Sequence, residues 1–144
     1  MFQRILLAWD GSEVALRAFD VAIDVTRRYD AELVAVSIAY SPAHAETAAD
    51  RVESTDAAHR YLETTFAEVR DRAERAGVAV EHEIVEGETP VRALLAYVHQ
   101  HGTDLIVCGH HRERRAGRLL LTGITQDLVS GAPVPVLVVS DEVL

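Results

Sequence analysis

Four arginines stand close together in the C-terminal third of the chain: Arg112, Arg114, Arg115 and Arg118 lie within seven residues. They follow an apolar stretch that ends at Gly109, and they precede a predicted helix whose free N–H groups and dipole favour anions. Guanidinium groups bind phosphate through paired hydrogen bonds and keep their charge at any cellular pH. The cluster therefore predicts an anion-binding loop. The alternative is a solvated loop whose arginines pair with acidic neighbours.

Asp10 is the second candidate for ligand contact. It follows the apolar segment 3–9 and begins the sequence Asp10-Gly11-Ser12. A carboxylate at this point can accept hydrogen bonds from a ribose or an amino group of a ligand. The same residue types also cap the N-terminus of a helix. The sequence leaves both roles open.

Cys108, His110 and His111 raise the question of a metal or a nucleophile. Adjacent histidines on an irregular loop point in different directions, and no third ligand stands at a suitable spacing. Cys108 would need a neighbouring base to act as a nucleophile, and its position at the end of an apolar strand fits a buried thiol. We predict neither a metal site nor a catalytic residue here.

Apolar strands alternate with amphipathic helices along the whole chain. The predicted strands cover residues 3–9, 32–40, 78–87, 104–109 and 133–140. The predicted helices cover residues 13–29, 54–76, 90–101 and 118–130. Residues 41–53 have no clear period, so we predict a surface loop there.

This order predicts an α/β fold, namely a doubly wound five-stranded parallel sheet (order 3-2-1-4-5) with helices on both faces. In open sheets of this kind, ligands bind beyond the carboxyl ends of the strands, where the winding reverses. That switch lies between the first and fourth strands. Asp10 and the start of the arginine loop are therefore expected to meet at one site.

The composition limits the partners and the compartment. The chain has 144 residues, which predicts a single domain, and its 23 acidic and 14 basic residues give a formal charge of −9. Such a chain is a poor partner for nucleic acids or anionic membranes, because both are polyanions. No apolar run approaches the roughly 20 residues that cross a bilayer, and the start of the chain is too soon acidic for a signal peptide. We expect a cytoplasmic protein.

Three segments resemble the universal stress protein family: RILLAWDGSEVALRAFDVA, EGETPVRALLAYVHQHGTDLIVCGHH and RLLLTGITQDLVSGAPVPVLVV. The resemblance covers nearly the whole chain and implies the five-stranded fold described above. It also implies a homodimer formed by pairing of the last strands, here Val134 to Val139. Many members of the family bind ATP at a glycine loop. By this resemblance Asp10 and Gly109 match ligand contacts, and Ser37 lies at or near the strand 2 position that flanks the adenosine.

The glycine loop departs from the family pattern of G-x-x-G, nine residues, then G-[S/T]. Counting from Gly109 places Arg112 at the second glycine, Thr122 at the third and Gly123 at the hydroxyl position. Glycines in such loops let backbone N–H groups approach phosphate oxygens without a Cβ in the way. Arg112 removes that freedom. Its guanidinium, with that of Arg115, either binds the phosphate or occupies its place.

Two functions follow as hypotheses. The first is a cytoplasmic stress-response dimer that binds an adenine nucleotide (ATP or AMP) or another phosphate-bearing ligand, weakly or in a modified mode. The residues that would contact this ligand are Asp10, Ser37, Gly109, Arg112, Arg115, Thr122 and Gly123. The second is a regulatory or interaction protein of the same family that binds no nucleotide. A weak ATPase has the least support, because no general base or magnesium carboxylate can be placed near the phosphates.

Overall fold

The computed structural model describes residues 1–40, 48–87, 89–110, 113–115, 118–120 and 124–141. The strands in these residues are β1 (Arg4–Ala8), β2 (Glu32–Tyr40), β3 (Val80–Gly87), β4 (Leu105–His110), β5 (Glu113–Arg115), β6 (Arg118–Leu120) and β7 (Val136–Ser140). The helices are α1 (Glu13–Tyr29), α2 (Ala48–Arg75), α3 (Pro90–His101) and α4 (Ile124–Gly131). None of the described helices is long and apolar enough to cross a bilayer.

Five strands form one parallel sheet in the order β3-β2-β1-β4-β7. This confirms the predicted order 3-2-1-4-5, because β7 is the fifth of the long strands. At the centre of the sheet, Ile5 of β1 lies opposite Leu33 of β2 and Leu105 of β4. Helices cover both faces of these inner strands, which explains why their apolar runs are continuous rather than alternating.

The helices pack on both faces of the sheet, as predicted. One face of β1 contributes Ile5 and Leu7 to a core that α1 and α2 complete with Phe19 and Phe66. Leu6, on the other face of β1, belongs to a second core, to which α3 and α4 contribute Leu94, Val98 and Leu128. Burial of these two apolar layers is the main driving force that holds the helices to the sheet.

Three aromatic rings meet at the carboxyl end of β1. Trp9 contacts Phe19 and Phe66 edge to face, with ring centroids 6.1 Å and 5.8 Å away, and the two phenylalanines are 5.7 Å apart. Rings in this arrangement place the positive edge of one against the negative face of the next. The end of β1 is therefore fixed against both α1 and α2.

The predicted helix over residues 118–130 is wrong in its first part. Arg118–Leu120 form β6, which pairs with β5 in an antiparallel ladder that places Arg115 opposite Arg118. The helix itself begins at Ile124. A short run of leucines fits a strand as well as a helix, so periodicity alone does not separate the two.

The predicted surface loop over residues 41–53 is also wrong in part. Residues 41–47 lie outside the described residues, whereas α2 already begins at Ala48 and runs for 28 residues. The early turns of α2 consist of alanine, glutamate, arginine and other residues that tolerate a helix without forming an apolar stripe. The periodicity of apolar residues therefore does not predict a helix in these early turns.

Candidate functional site

A cavity of about 390 Å³ opens at the carboxyl ends of β1, β2 and β4. This is the point where the winding of the sheet reverses, and ligands of open α/β sheets bind at such points. The structure brings Asp10 and Gly109 together in the wall of this cavity. Its volume lies in the usual range of small-molecule sites. We take it as the candidate site.

A larger cavity of about 760 Å³ lies at the opposite, amino-terminal edge of the sheet. Its wall carries charges of both signs, and Arg4 and Glu32 approach each other there to 3.7 Å. Arg4 also donates to the carbonyl of His101 at 2.8 Å. Because Arg4 is already engaged and the amino ends of the strands are not the usual binding edge, the smaller cavity is the better candidate.

The wall of the candidate site is mostly apolar and has a few convergent polar groups. Its apolar side chains include Val36, Ile38, Leu62, Leu94 and Leu128. Asp10, Ser12, His110 and Thr125 supply the polar groups. Thr125 lies in the first turn of α4, where backbone N–H groups have no partner within the helix. An apolar wall with a few polar groups is typical of sites that bind small molecules and fix their orientation.

Asp10 closes the turn between β1 and α1. Its Oδ1 accepts hydrogen bonds from the Ser12 N–H at 2.9 Å and from the Ser12 hydroxyl at 2.6 Å. Ser12 in turn caps α1, since its Oγ accepts from the N–H of Ala15 at 3.2 Å. Gly11 between them adopts a φ of +83°, which glycine accepts without strain. The carboxylate thus takes part in the capping turn and also lines the cavity.

Gly109 lies where β4 packs closely against α1. A Cβ at this position would stand 2.7 Å from the backbone oxygen of Val14 and 2.8 Å from its carbonyl carbon. Backbone atoms cannot move aside as a flexible side chain does. The packing of β4 on α1 therefore requires a glycine here, whether or not a ligand approaches the same residue.

The arginine loop, residues 111–123, connects β4 to α4 beside the cavity. His110 precedes residues 111–123 and Ile124 follows them, and both residues line the cavity. Arg112, Thr122 and Gly123 lie outside the described residues. Arg115 is described only through its backbone, which belongs to β5. The structure therefore places both attachment points of the loop at the site.

Ser37 lies next to the cavity, but its side chain points to the other face of the sheet. It is 1% exposed, and its hydroxyl donates to the carbonyl of Trp9 at 2.7 Å. The Nε2 of His82 is 2.8 Å from the same hydroxyl. The neighbours Val36 and Ile38 line the cavity instead. Because strand side chains alternate between faces, Ser37 reaches the site only through its backbone.

Cys108 is a buried thiol in β4. Burial raises the pKa of Cys108 to about 11, so the thiol stays protonated at neutral pH. His110 is 4% exposed and lies in the cavity wall. Among the residues that the structure describes, no three His, Cys, Asp or Glu side chains are grouped so that they could hold a metal ion.

Two residues near the site were not identified from the sequence. Thr125 was hidden inside a helix whose start was predicted six residues too early. His82 lies in β3 and was not among the residues predicted to contact a ligand. A histidine at an inward-facing strand position, between Val80 and Ile84, was the available signal, because polar groups on a buried face need a specific partner.

We predict that Gly109→Ala lowers the free energy of unfolding by about 1–3 kcal/mol, because the added methyl group overlaps the backbone of Val14. Urea unfolding at neutral pH measures this loss. Gly131→Ala is the matched control, since its Cβ meets only the flexible Cδ1 of Leu95 at 3.0 Å. We expect the control to stay within about 0.5 kcal/mol of the wild type. Equal stability of the two variants would contradict the close approach of β4 and α1.

We predict a pH dependence of stability that originates at His82. Burial, and then the charge of Arg70, lower its pKa from 6.5 to about 4. The unfolded chain therefore binds more protons between these values, and the free energy of unfolding falls as the pH falls through this window. We expect a loss of about 1–2 kcal/mol, because solvent screens a half-buried group.

His82→Gln is the control for this pH dependence, because glutamine keeps an N–H donor and does not titrate. Urea unfolding of both proteins between about pH 7 and pH 4 gives the comparison. The wild type should lose more stability than the variant on acidification. Parallel pH profiles of the two proteins would contradict the assignment to His82.

Comparison with known proteins identifies relatives of the whole chain. The model of the universal stress protein family matches residues 1–140. A relative from Staphylococcus haemolyticus, whose name places it in the same family, is 31% identical over 142 residues, which are 98% of this chain and 86% of the relative.

Solved structures agree with this match. The universal stress protein UspA from Lactobacillus plantarum superposes with a TM-score of 0.82 at 25% identity, over 96% of this chain and 97% of that one. A universal stress protein in complex with cAMP gives a TM-score of 0.73 at 27% identity, over 96% of this chain and 97% of its own. The chain belongs to the universal stress protein family.

Proposed function

We propose that this chain binds an adenine nucleotide, such as ATP or AMP, or another small phosphate-bearing ligand in the cavity between β1 and β4. The observation that carries the proposal is that both ends of the arginine loop line this cavity. The loop brings four guanidinium groups to a chain whose formal charge is −9. A base or similar ring would lie against the apolar wall, and the phosphate would lie toward the loop.

The predicted contact residues divide into those that contact the ribose and ring and those that contact the phosphate. Asp10 accepts a hydrogen bond from a ribose hydroxyl, and the backbone at Ser37 and Gly109 borders the ring. Arg112 and Arg115 bind the phosphate through their guanidinium groups, which replaces the backbone contacts that glycines give in related loops. Thr122 and Gly123 lie just before α4 and complete the phosphate end. The cAMP complex of a 27% identical relative supports a nucleotide of this size.

A second candidate function is a regulatory interaction protein without a bound nucleotide. The observation that favours it concerns Gly109, whose lack of a side chain is fully accounted for by the close contact with Val14. The other motif positions, Arg112 and Thr122, are not glycines at all. Gly109 therefore does not require a phosphate to explain it. On either function we place the protein in the cytoplasm.

We predict that the purified chain binds AMP or ATP with a dissociation constant in the micromolar range, measured by isothermal titration calorimetry. Arg112→Ala should weaken binding about tenfold or more, because hydrogen bonds to charged groups are the stronger ones. Arg17→Ala removes the same charge from the exposed side of α1 and should leave the affinity unchanged. Absence of heat with AMP, ATP, cAMP and inorganic phosphate alike would refute the ligand site and favour the second function.

Asp10→Asn separates capping from ligand contact in the same assay. Asparagine keeps an oxygen that accepts from Ser12 but loses the negative charge. If the carboxylate contacts the ribose, binding should weaken several-fold while the stability stays near that of the wild type. A variant that binds as tightly as the wild type would restrict Asp10 to the capping turn.

We further propose that the chain forms a homodimer through β7, with Val134 to Val139 as the contact segment. β7 pairs with β4 on one side only within the described sheet, and Leu137 is 37% exposed. An apolar edge strand of this kind is stabilised when it is covered by another strand. Pairing of two copies of β7 would extend the sheet across the interface.

We predict that light scattering gives a mass of twice the 15.8 kDa chain. Leu137→Lys should shift the protein to the monomer, because lysine on an edge strand opposes pairing. Tyr61→Lys is the control, since Tyr61 is a 56% exposed apolar residue on α2. A monomeric wild type, or a Leu137→Lys variant that remains dimeric, would argue against this interface.

A further inference from the structure

Two successive hydrogen bonds connect β3 to the end of β1 beneath the candidate site. They join the imidazole of His82, the hydroxyl of Ser37 and the carbonyl of Trp9, with distances of 2.8 Å and 2.7 Å. Ser37 in the middle is 1% exposed, so water does not substitute for either partner. The three residues come from three neighbouring strand segments, and the linkage crosses the sheet from its edge to its centre.

The single hydroxyl proton of Ser37 determines which group donates in each of the two hydrogen bonds. The carbonyl of Trp9 can only accept, so the hydroxyl of Ser37 donates its single proton to that carbonyl. The Nε2 of His82 must therefore carry a proton and donate it to Ser37. Neutral His82 is thus the tautomer with its proton on Nε2, and this side of the ring donates in the charged state as well.

The imidazole is held in place from α2. His82 stacks on Phe66 with ring centroids 4.3 Å apart and an interplanar angle of 29°. The guanidinium of Arg70 lies 5.0 Å from the centre of the same Phe66 ring and donates to the carbonyl of Val80 at 3.1 Å. His82 lines a surface groove together with His59 and Glu63 of α2. Because the ring is fixed by stacking, its N–H points steadily at Ser37.

Trp9 connects this linkage to the cavity. It is the first residue after β1, and its N–H donates to the carbonyl of Val36 at 3.0 Å. Its indole N–H donates to Thr65 at 3.2 Å. The hydroxyl of Ser37 donates to the carbonyl of Trp9. All three polar groups of Trp9 therefore have a hydrogen-bond partner. The next residue is Asp10, whose carboxylate lines the cavity.

We propose that His82 is a positioning residue for the nucleotide site: through Ser37 it fixes the carbonyl of Trp9 and so sets the place of Asp10 at the cavity rim. That the cavity binds a nucleotide rests on the function proposed above, whereas the positioning of Asp10 by His82 does not. His82 is not among the residues that line the cavity. Its effect on binding is therefore indirect and runs through one serine.

The alternative is that His82 only fills space against Phe66. Two substitutions separate these roles. His82→Phe keeps a flat ring for the stack but has no N–H, whereas His82→Gln loses the stack but keeps a donor near the position of Nε2. A positioning role predicts that His82→Phe disturbs the site and His82→Gln restores it. A space-filling role predicts the reverse order.

The experiment uses the intact chain and two readouts. Calorimetry with AMP gives the affinity, and hydrogen exchange without ligand gives the protection of the amides from Trp9 to Ser12. We expect His82→Phe to raise the dissociation constant about tenfold, as for a lost buried hydrogen bond. The amides of this segment should also exchange faster. His82→Gln should stay within about twofold of the wild type in affinity.

A double-mutant cycle with Ser37→Ala tests the route. If His82 acts through Ser37, adding His82→Phe to Ser37→Ala should change neither the affinity nor the exchange further. Additive effects of the two substitutions would overturn the proposal, as would a His82→Phe variant with wild-type affinity and exchange. Should His82→Phe fail to fold, Ser37→Ala alone must reproduce the faster exchange from Trp9 to Ser12.

Failure of the function proposed above is recognised separately. If the wild type gives no heat with AMP, ATP, cAMP or inorganic phosphate, the proposed function fails and the exchange readout alone decides the positioning role. Faster exchange from Trp9 to Ser12 in His82→Phe, restored in His82→Gln, would still support it. Unchanged exchange in that variant would overturn it.

Discussion

The end of β1 carries the constraint on which the rest of the structure depends. Trp9 is 4% exposed and brings three polar groups into the interior of the fold. Buried polar groups must find partners, because an unmade hydrogen bond costs about 1–3 kcal/mol. The partners come from Val36 and Ser37 of β2 and from Thr65 of α2. One residue therefore ties the central strand to its neighbour and to the helix above it.

This constraint gives the candidate site a rigid floor and leaves its loop free to vary. The strand ends, the capping turn at Asp10 and the close contact of Gly109 with Val14 are all set by packing within the fold. The residues between His110 and Ile124 are attached to that floor at both ends. Ligand sites are commonly built in this way, with a fixed scaffold and loops that supply the specific chemistry. The residues of this loop can therefore vary without a change in the fold.

Much of the fold could be predicted from the sequence, and so could part of the site. Continuous apolar strands and amphipathic helices predicted the sheet order, because the handedness of the connections leaves few alternatives. The switch-point rule then predicted that Asp10 and Gly109 would meet. The rule fixes backbone ends, however, and not the face to which a side chain points. The resemblance placed Ser37 at or near the strand 2 position beside the ligand without deciding its face, and its hydroxyl points to the opposite face, where it donates to the carbonyl of Trp9.

The sequence by itself determined the elements, their order in the sheet and the concentration of positive charge beside the fourth long strand, since these follow from local pattern and composition. Only the tertiary structure decided what each polar group does. Asp10 accepts from Ser12, Gly109 makes room for Val14, and His82 reaches Ser37 from a strand 45 residues later in the chain. Such pairings depend on which side chains share a face and a level in the folded sheet. Residues distant in sequence acquire that relation only when the strands are laid side by side.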